Sequence, residues 1–369
     1  MKQTLLFSRL SLFFACLLSA TALPAQDSLW QTPPEVNFSG YVDVFYAFDL
    51  NRPQGNALQP FLYNHNRHNE FNLNNGILKV NATHPKYRAN LALHAGTYVE
   101  DNYANEPLSL KYISEANVGL GLNKKQNLWL DAGIFASHIG FESAVSLDNL
   151  TLTRSLLAEN SPYFLAGLRL TYAPSPRWTM VALVCNGWQR IRRQAGNSLP
   201  ALGTQITYTA SPKFALNWSS FTGTDSPDSA RVMRYFHNFY AQGALTDKLK
   251  YIVGFDFGAQ QSQYQSSEYH IWLSPVAILA YSWHKKWTTA LRAEYYQDAN
   301  NTMTAPNNQG QLNCFSASLN VDYKPTPNVA CRLEARYFQN EDKIFLREDA
   351  SFSPQNFVIY LSLAARLTK

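Results

Sequence analysis

Apolar and polar residues alternate along many stretches of the chain, and a period of two is typical of strands rather than helices. Residues 329–338 show the pattern clearly. One face of this stretch carries Val329, Cys331, Leu333, Ala335 and Tyr337. The other face carries Ala330, Arg332, Glu334, Arg336 and Phe338. An aliphatic face therefore opposes a largely charged one.

Short turn-forming stretches separate these runs. Four contain proline, namely NATHPKY (81–87), YAPSPRW (172–178), YTASPKF (208–214) and YKPTPNV (323–329). Three others, NKKQN (123–127), LTDKL (245–249) and SWHKKW (282–287), lack it. Proline fixes φ, and Ser, Thr and Asn bond to the local backbone, so each stretch predicts a tight reversal. The spacing of the reversals leaves room for two strands and one longer loop per interval.

This spacing predicts sixteen strands, with fourteen or eighteen left open. Their expected bounds are 35–50, 69–82, 87–100, 111–123, 126–137, 162–174, 176–190, 198–210, 213–223, 231–245, 247–262, 267–282, 285–298, 311–324, 327–341 and 355–368. We therefore predict an all-β, transmembrane, antiparallel up-and-down barrel, with short periplasmic turns and long extracellular loops. Its first and last strands must pair, because an open sheet edge in hydrocarbon is costly.

Aromatic residues beside the turns favour a membrane barrel over a soluble sandwich, since membrane barrels carry aromatic girdles at both interfaces. The predicted interfacial residues are Tyr172, Trp178, Tyr208, Phe214, Trp283 and Trp287. The strict alternation of short and long connections also favours this fold over a Greek-key sandwich.

Composition supports the same fold. Of the 369 residues, 15% are charged and 14% aromatic, against about 25% charged in ordinary soluble domains. After residue 26 no run approaches the roughly 20 apolar residues of a spanning helix. Residues 1–26 combine early positive charge, an apolar stretch and small residues, which predicts a secretory signal peptide. We expect residues 27–369 to form one barrel domain in an outer membrane.

The polar faces of the strands predict the wall of the lumen, since sixteen strands enclose an aqueous channel. The candidate pore-lining residues are Arg88, His94, Arg169, Asp256, Arg292, Glu294, Asp322, Arg332, Glu334 and Arg336. Both signs of charge are present. Two interpretations stay open at this point: neighbouring charges neutralise each other in a water-filled wall, or they set a charge preference.

The third long connection, residues 138–161, is too apolar to extend into water. It is expected to fold into the barrel as a constriction, or to cover the mouth as a lid. Its charged residues are Glu142, Asp148, Arg154 and Glu159.

The basic stretch QRIRR (189–193) lies at the predicted outer end of a strand. It fits an anion funnel, a contact with lipopolysaccharide phosphates or a solvated loop.

Catalytic and metal-binding patterns are weak. The sequence lacks G-x-S-x-G and H-E-x-x-H motifs, and His65, His68 and Glu70 lack a further ligand for a metal site. The three cysteines after residue 26, Cys185, Cys314 and Cys331, do not form a disulfide framework. We expect no enzyme activity, cofactor, metal or nucleic-acid partner.

Several phrases resemble the OmpL-like β-barrel porin family of Gram-negative, especially Bacteroidetes-like, outer membranes. They are HIGFESA, LTLTRSL, SPYFLAGLRLTYAPSPRW, VALVCNGWQRI and RYFHNFY, densest between residues 138 and 240. The resemblance implies an outer-membrane porin and does not fix the substrate. The first functional hypothesis is a channel for the passive diffusion of small hydrophilic solutes. A receptor or adhesin and, less favoured, a barrel-embedded hydrolase are the alternatives. The expected partners are membrane lipid, lipopolysaccharide and solutes, and a homo-oligomer stays open.

Overall fold

The computed structural model describes residue 30, residues 32–304, residue 306 and residues 310–368. Sixteen strands in this part of the chain form one closed antiparallel barrel. Residues 39–49 of the first strand pair with residues 358–368 of the last, so the sheet has no open edge. The predicted fold class, strand count and closure are confirmed. The predicted signal peptide, residues 1–26, lies outside the described residues and stays a prediction.

The barrel strands are β1 (Glu35–Asp49), β2 (Phe71–Thr83), β3 (Tyr87–Ala95), β4 (Ile113–Gly121), β5 (Leu128–Ala136), β6 (Phe164–Ser175), β7 (Trp178–Cys185), β8 (Ala201–Ser211), β9 (Phe214–Gly223), β10 (Arg234–Ala244), β11 (Leu249–Gln261), β12 (Tyr269–His284), β13 (Trp287–Asp298), β14 (Leu312–Thr326), β15 (Val329–Asn340) and β18 (Gln355–Thr368). The two-residue strands β16 (Phe345–Leu346) and β17 (Phe352–Ser353) form a separate hairpin.

Among the described residues, the connections contain three short α-helices, α1 (Thr97–Asn102), α2 (Leu108–Lys111) and α3 (Leu156–Glu159), and two 3-10 helices, Ser146–Asp148 and Asp228–Ala230. No helix in the described part of the chain has the length and apolarity needed to cross a membrane.

The connections divide the barrel into two ends. At the turn end, neighbouring strands are joined by short turns such as residues 176–177, 212–213 and 327–328. At the loop end, eight longer connections join the strands. We number them first to eighth: residues 50–70, 96–112, 137–163, 186–200, 224–233, 262–268, 299–311 and 341–354. The predicted alternation of short and long connections is therefore present.

Two strands end well before their predicted bounds. The sequence suggested that β3 continues to residue 100, but it ends at Ala95 because Gly96 adopts φ 128° and turns the chain into α1. A Cβ on Gly96 would lie 2.5 Å from the carbonyl oxygen of Asn74, so the turn requires glycine. Strand β7 ends at Cys185 rather than at residue 190. The basic stretch 189–193 consequently belongs to the fourth loop and not to a strand end.

The outer face of the barrel is apolar and carries the predicted aromatic residues at its turn end. The ring centroids of Trp178 and Tyr208 lie 4.6 Å apart, and those of Trp283 and Trp287 lie 5.5 Å apart. Tyr172 and Phe214 are also on this face, as their strand positions require. Their role at a membrane interface stays a prediction.

The inner face is polar toward the turn end but apolar toward the loop end, which the sequence analysis did not anticipate. Inward side chains from the strands pack there with side chains of the first, third, fourth and eighth loops. The cluster includes Phe45, Phe221, Phe236, Trp272 and Phe338 from the wall, and Phe61, Leu152, Leu156, Trp188 and Phe345 from the loops. A side-chain core therefore occupies part of the lumen.

Candidate functional site: a loop held inside the barrel

The third long loop leaves β5 and enters the lumen. The Oγ of Ser219 donates a hydrogen bond to the carbonyl of His138 at 2.8 Å, and the backbone N–H of Gly140 donates to Oδ1 of Asn238 at 3.2 Å. Both wall residues are buried on the inner face. The loop therefore lies inside the barrel and not across its mouth.

The loop then reaches the part of the wall formed by β13 and β15, where carboxylates accept hydrogen bonds from its backbone. Glu334 on β15 accepts the backbone N–H of Thr153 at 2.7 Å and its hydroxyl at 2.8 Å. Glu294 on β13 accepts the backbone N–H of Leu156 at 2.6 Å. Arg292 forms ion pairs with both carboxylates. Its Nη1 also donates a hydrogen bond to the carbonyl of Thr153 at 2.6 Å. The wall thus supplies partners for a loop backbone that forms no sheet here.

Two further arginines bind loop carbonyls. Arg332 donates to the carbonyl of Ser146 at 2.5 Å and forms an ion pair with Asp322 at 2.8 Å. Arg336 donates to the carbonyl of Arg154 at 3.1 Å and forms an ion pair with Glu294 at 2.8 Å. Charge-assisted hydrogen bonds of this kind are about twice as strong as neutral ones. The loop is consequently bound by charged groups along much of its length.

All ten candidate pore-lining side chains point inward. Eight are buried: His94 is 4% exposed, and seven others have at most 3% of their surface exposed, namely Asp256, Arg292, Glu294, Asp322, Arg332, Glu334 and Arg336. The sequence predicts that such residues face water. The structure corrects this, because the third loop covers the wall and takes up its hydrogen-bonding groups.

Arg88, Arg169 and His94 have different partners. Arg88 and Arg169 both approach Asp131, at 2.5 and 3.4 Å, and remain partly exposed. His94, near the loop end, contacts the carbonyl of Lys111 at 3.2 Å. The structure therefore does not gather the ten residues into one ring.

The four charged residues predicted to narrow the pore also have internal partners. Glu142 accepts hydrogen bonds from the backbone N–H and hydroxyl of Ser155 at 3.0 and 2.5 Å, and burial raises the pKa of Glu142. Asp148 forms an ion pair with Arg366 at 2.7 Å. Arg154 lies 3.9 Å from Glu159, and its guanidinium sits over the ring of Tyr163. Glu142, Arg154 and Glu159 therefore stabilise the conformation of the loop, and Asp148 binds it to β18.

The histidines of the first loop are separated by their partners. The Nε2 of His65 lies 2.9 Å from Asp43 on β1, whereas the Nδ1 of His68 accepts the backbone N–H of Asp49 at 3.0 Å. Glu70 accepts instead from Asn56 at 2.7 Å. Among the described residues, no group of three His, Cys, Asp or Glu side chains is placed to hold a metal ion.

Two cavities flank the third loop. The turn-end cavity, about 420 Å³, lies between loop residues Phe141, Glu142 and Leu150 and wall residues Lys250, Ile252 and Ile278. The loop-end cavity, about 210 Å³, lies where six long loops meet, and it includes Asp101, Glu106, Glu159, Asn160, Trp188 and Asp225.

A sequence profile of the family "Putative beta-barrel porin-2, OmpL-like" matches residues 35–367, which is almost the whole barrel. The chain belongs to this family. The porin is accordingly an outer-membrane β-barrel, as the sequence resemblance implied. No curated protein sequence matches it significantly.

Solved structures with the same fold include an outer-membrane channel, a porin and an outer-membrane protein. The outer-membrane channel DcaP of Acinetobacter baumannii is 12% identical, with a TM-score of 0.60 over 91% of this porin and 98% of that chain. The anion-selective porin from Comamonas acidovorans is 8% identical, with a TM-score of 0.61 over 90% and 100%. OmpT of Vibrio cholerae in its trimer form is 10% identical, with a TM-score of 0.56 over 91% and 100%. At these identities the likeness shows the fold.

Proposed function

We propose that this porin is a diffusion channel for small hydrophilic solutes in which the third long loop forms the constriction. The position of that loop carries the proposal, because the loop crosses the lumen and is hydrogen-bonded to Ser219 on β9 and to Tyr41 on β1, which lie eight strands apart in the sixteen-strand barrel. A sixteen-strand barrel without such a loop is wide enough for an open aqueous channel. The loop therefore determines the width of the route.

We place the constriction of the proposed route at helix α3. Leu157 and Ala158 of this helix pack with Ile252 and Ile278 of the wall. The two isoleucines also line the turn-end cavity, whereas residues 159–161, which follow Ala158, line the loop-end cavity. We infer that an apolar constriction separates the two cavities. Apolar constrictions control passage through their wetting.

Conductance in planar bilayers tests this function. The purified porin should produce stepwise currents, and neutral sugars of increasing size should stop reducing the current once they no longer enter the lumen. A preparation that inserts into bilayers without conducting would reject the channel and favour a receptor or adhesin. Hydrolysis of lipid or protein by the same preparation would instead favour a barrel-embedded hydrolase.

The partners predicted from the sequence are proposals of the same kind. The trimer form of a protein with this fold supports a homo-oligomer, which light scattering of the detergent-solubilised porin would test. Contacts with lipopolysaccharide would appear as binding that depends on its phosphate groups.

A further inference from the structure

The loop-end cavity carries an excess of negative charge on its wall. Asp101, Glu106, Glu159 and Asp225 contribute four carboxylates, whereas Arg190 contributes one guanidinium among the described lining residues. Four negative charges less one positive charge leave three negative charges. Because loops of the outer end supply these residues, a solute arriving from outside meets this wall first.

Three of the four carboxylates are stabilised by uncharged donors. Glu106 accepts two backbone N–H groups of the fourth loop at 2.8 and 3.1 Å. Glu159 accepts a backbone N–H of the first loop at 2.8 Å, and Asp225 accepts one of the fourth loop at 3.0 Å. Such dipoles stabilise an ionised carboxylate but leave its net charge in place.

The nearest arginines neutralise these groups incompletely. Arg154 lies 3.9 Å from Glu159, and Arg234 lies 3.9 Å from Asp225, so neither pair forms a hydrogen bond. Asp101 differs, because Arg67 donates to both of its oxygens at 2.8 and 3.1 Å. Burial raises the pKa of the Glu159 and Asp225 carboxyls, as expected for charges that lack full compensation.

A separate feature of the cavity also points to a ligand that donates hydrogen bonds. Asn160 lines the cavity and is 7% exposed. Its amide nitrogen donates to the carbonyl of Leu156 at 2.8 Å, whereas its Oδ1 has no partner among the described residues. A buried acceptor without a donor is rare in proteins and needs an explanation.

The arrangement fits an extended organic cation better than a metal ion. The carboxylates face one cavity, but no three of the described acidic, histidine or cysteine side chains are grouped to hold a metal ion. An ammonium group offers three donors and so suits one carboxylate together with a neighbouring amide oxygen. Trp188 and Met303 also line the cavity and offer apolar surface to a methylene chain.

We propose that the loop-end cavity is a binding site for linear diamines and polyamines, which it concentrates at the mouth of the channel. The consequence for transport rests on the proposed channel function, because bound cations would pass from this cavity into the constriction. Binding itself does not require conduction, and the two ideas are therefore tested separately.

Calorimetry with 1,4-diaminobutane and the detergent-solubilised porin measures the binding without any current. We expect binding that Asp225→Asn weakens about two- to fivefold, the effect of losing one partly exposed ionic contact. The asparagine still offers an acceptor to the backbone N–H of Trp188. Asp228→Asn is the matched control, because Asp228 lies in the same loop, pairs with Arg231 at 2.6 Å and does not line the cavity.

Bilayer recordings supply the second readout. The diamine added on the loop side should reduce the potassium current, and Asp225→Asn should raise the half-blocking concentration by the same factor while Asp228→Asn leaves it unchanged. Binding without any conductance would reject the channel function alone. Equal binding of 1,4-butanediol, 1-aminobutane or Mg²⁺, or unchanged binding in Asp225→Asn, would overturn the diamine site.

Discussion

Replacing Glu334 by glutamine perturbs the contact that holds the third long loop against the wall. The carboxylate accepts hydrogen bonds from the backbone N–H and hydroxyl of Thr153 at 2.7 and 2.8 Å, and from Arg292 at 2.8 Å. It is fully buried. Glutamine preserves the shape and one acceptor oxygen but removes the charge.

The expected cost follows from the partners that remain. Arg292 and Glu334 both belong to the wall, so the loop itself loses the two hydrogen bonds that Thr153 donates to the charged carboxylate. A hydrogen bond to a charged group contributes about 1.5–3 kcal/mol. Because glutamine keeps one acceptor oxygen, we take the upper value for a single bond, about 3 kcal/mol. At 1.4 kcal/mol per factor of ten, the ratio of bound to released loop should fall roughly a hundredfold.

Single-channel recordings measure this ratio as the time spent at high and low conductance. Glu334→Gln should show frequent high-conductance periods that the unaltered porin rarely shows. Glu115→Gln serves as the control, because Glu115 is also an ion-paired carboxylate of the wall, but its partner is Lys79 at 2.8 Å. Equal behaviour of the two variants would refute the assignment of Glu334 to loop binding.

Three further predictions concern the constriction, the core and the mouth. Leu157→Ser removes a buried apolar side chain, whose burial contributes about 1.5–3 kcal/mol. The single-channel conductance should rise. An unchanged conductance would argue against an apolar constriction at α3. Gly258→Ala places a Cβ against the ring of Trp272 and should lower the free energy of unfolding by about 1–3 kcal/mol. The heat-induced change in gel mobility should therefore occur at a lower temperature. Gly76→Ala, where a Cβ meets only ordinary contacts, should leave that temperature unchanged. Burial raises the pKa of Asp225, so its charge is present above that raised pKa and is lost as the pH falls. Diamine block should therefore begin to weaken above the ordinary carboxyl pKa of about 4. A block that is constant down to pH 4 would contradict this.

The barrel could be predicted because its signals are local. The turn YAPSPRW (172–178) encodes its own reversal, and the alternation in 329–338 places Arg332 and Glu334 inward and Leu333 outward, as observed. Repeating such units fixes the number of strands. Closure follows from the cost of unpaired backbone groups in hydrocarbon.

The site could not be predicted in the same way, because its contacts join distant parts of the chain. Thr153 and Glu334 are 181 residues apart, and nothing in either segment indicates the other. The sequence did predict an inward loop as one of two options, from its apolar composition. It also placed the wall charges on the inner face, but it assigned their hydrogen bonds to water and to each other.

The apolar core inside the barrel is nevertheless indicated in the sequence, by a strand with apolar residues on both faces. In β18, Val358 and Tyr360 face inward and are buried, while Ile359 and Leu361 face outward and are exposed. A strand that is apolar on both faces at one end indicates a covered inner surface there. The apolar residues on the inner face at the loop end of the strands therefore predict that loops fill this end of the barrel.

Deleting residues 144–156 tests the central claim most directly, because it removes the segment that binds Arg292, Arg332 and Glu334 while the barrel strands stay intact. Deleting residues 263–266 from the exposed sixth loop is the control. The account predicts a larger single-channel conductance for the first deletion and an unaltered conductance for the second. An unchanged conductance after removal of residues 144–156, in a barrel that still shows heat-modified mobility, would contradict it.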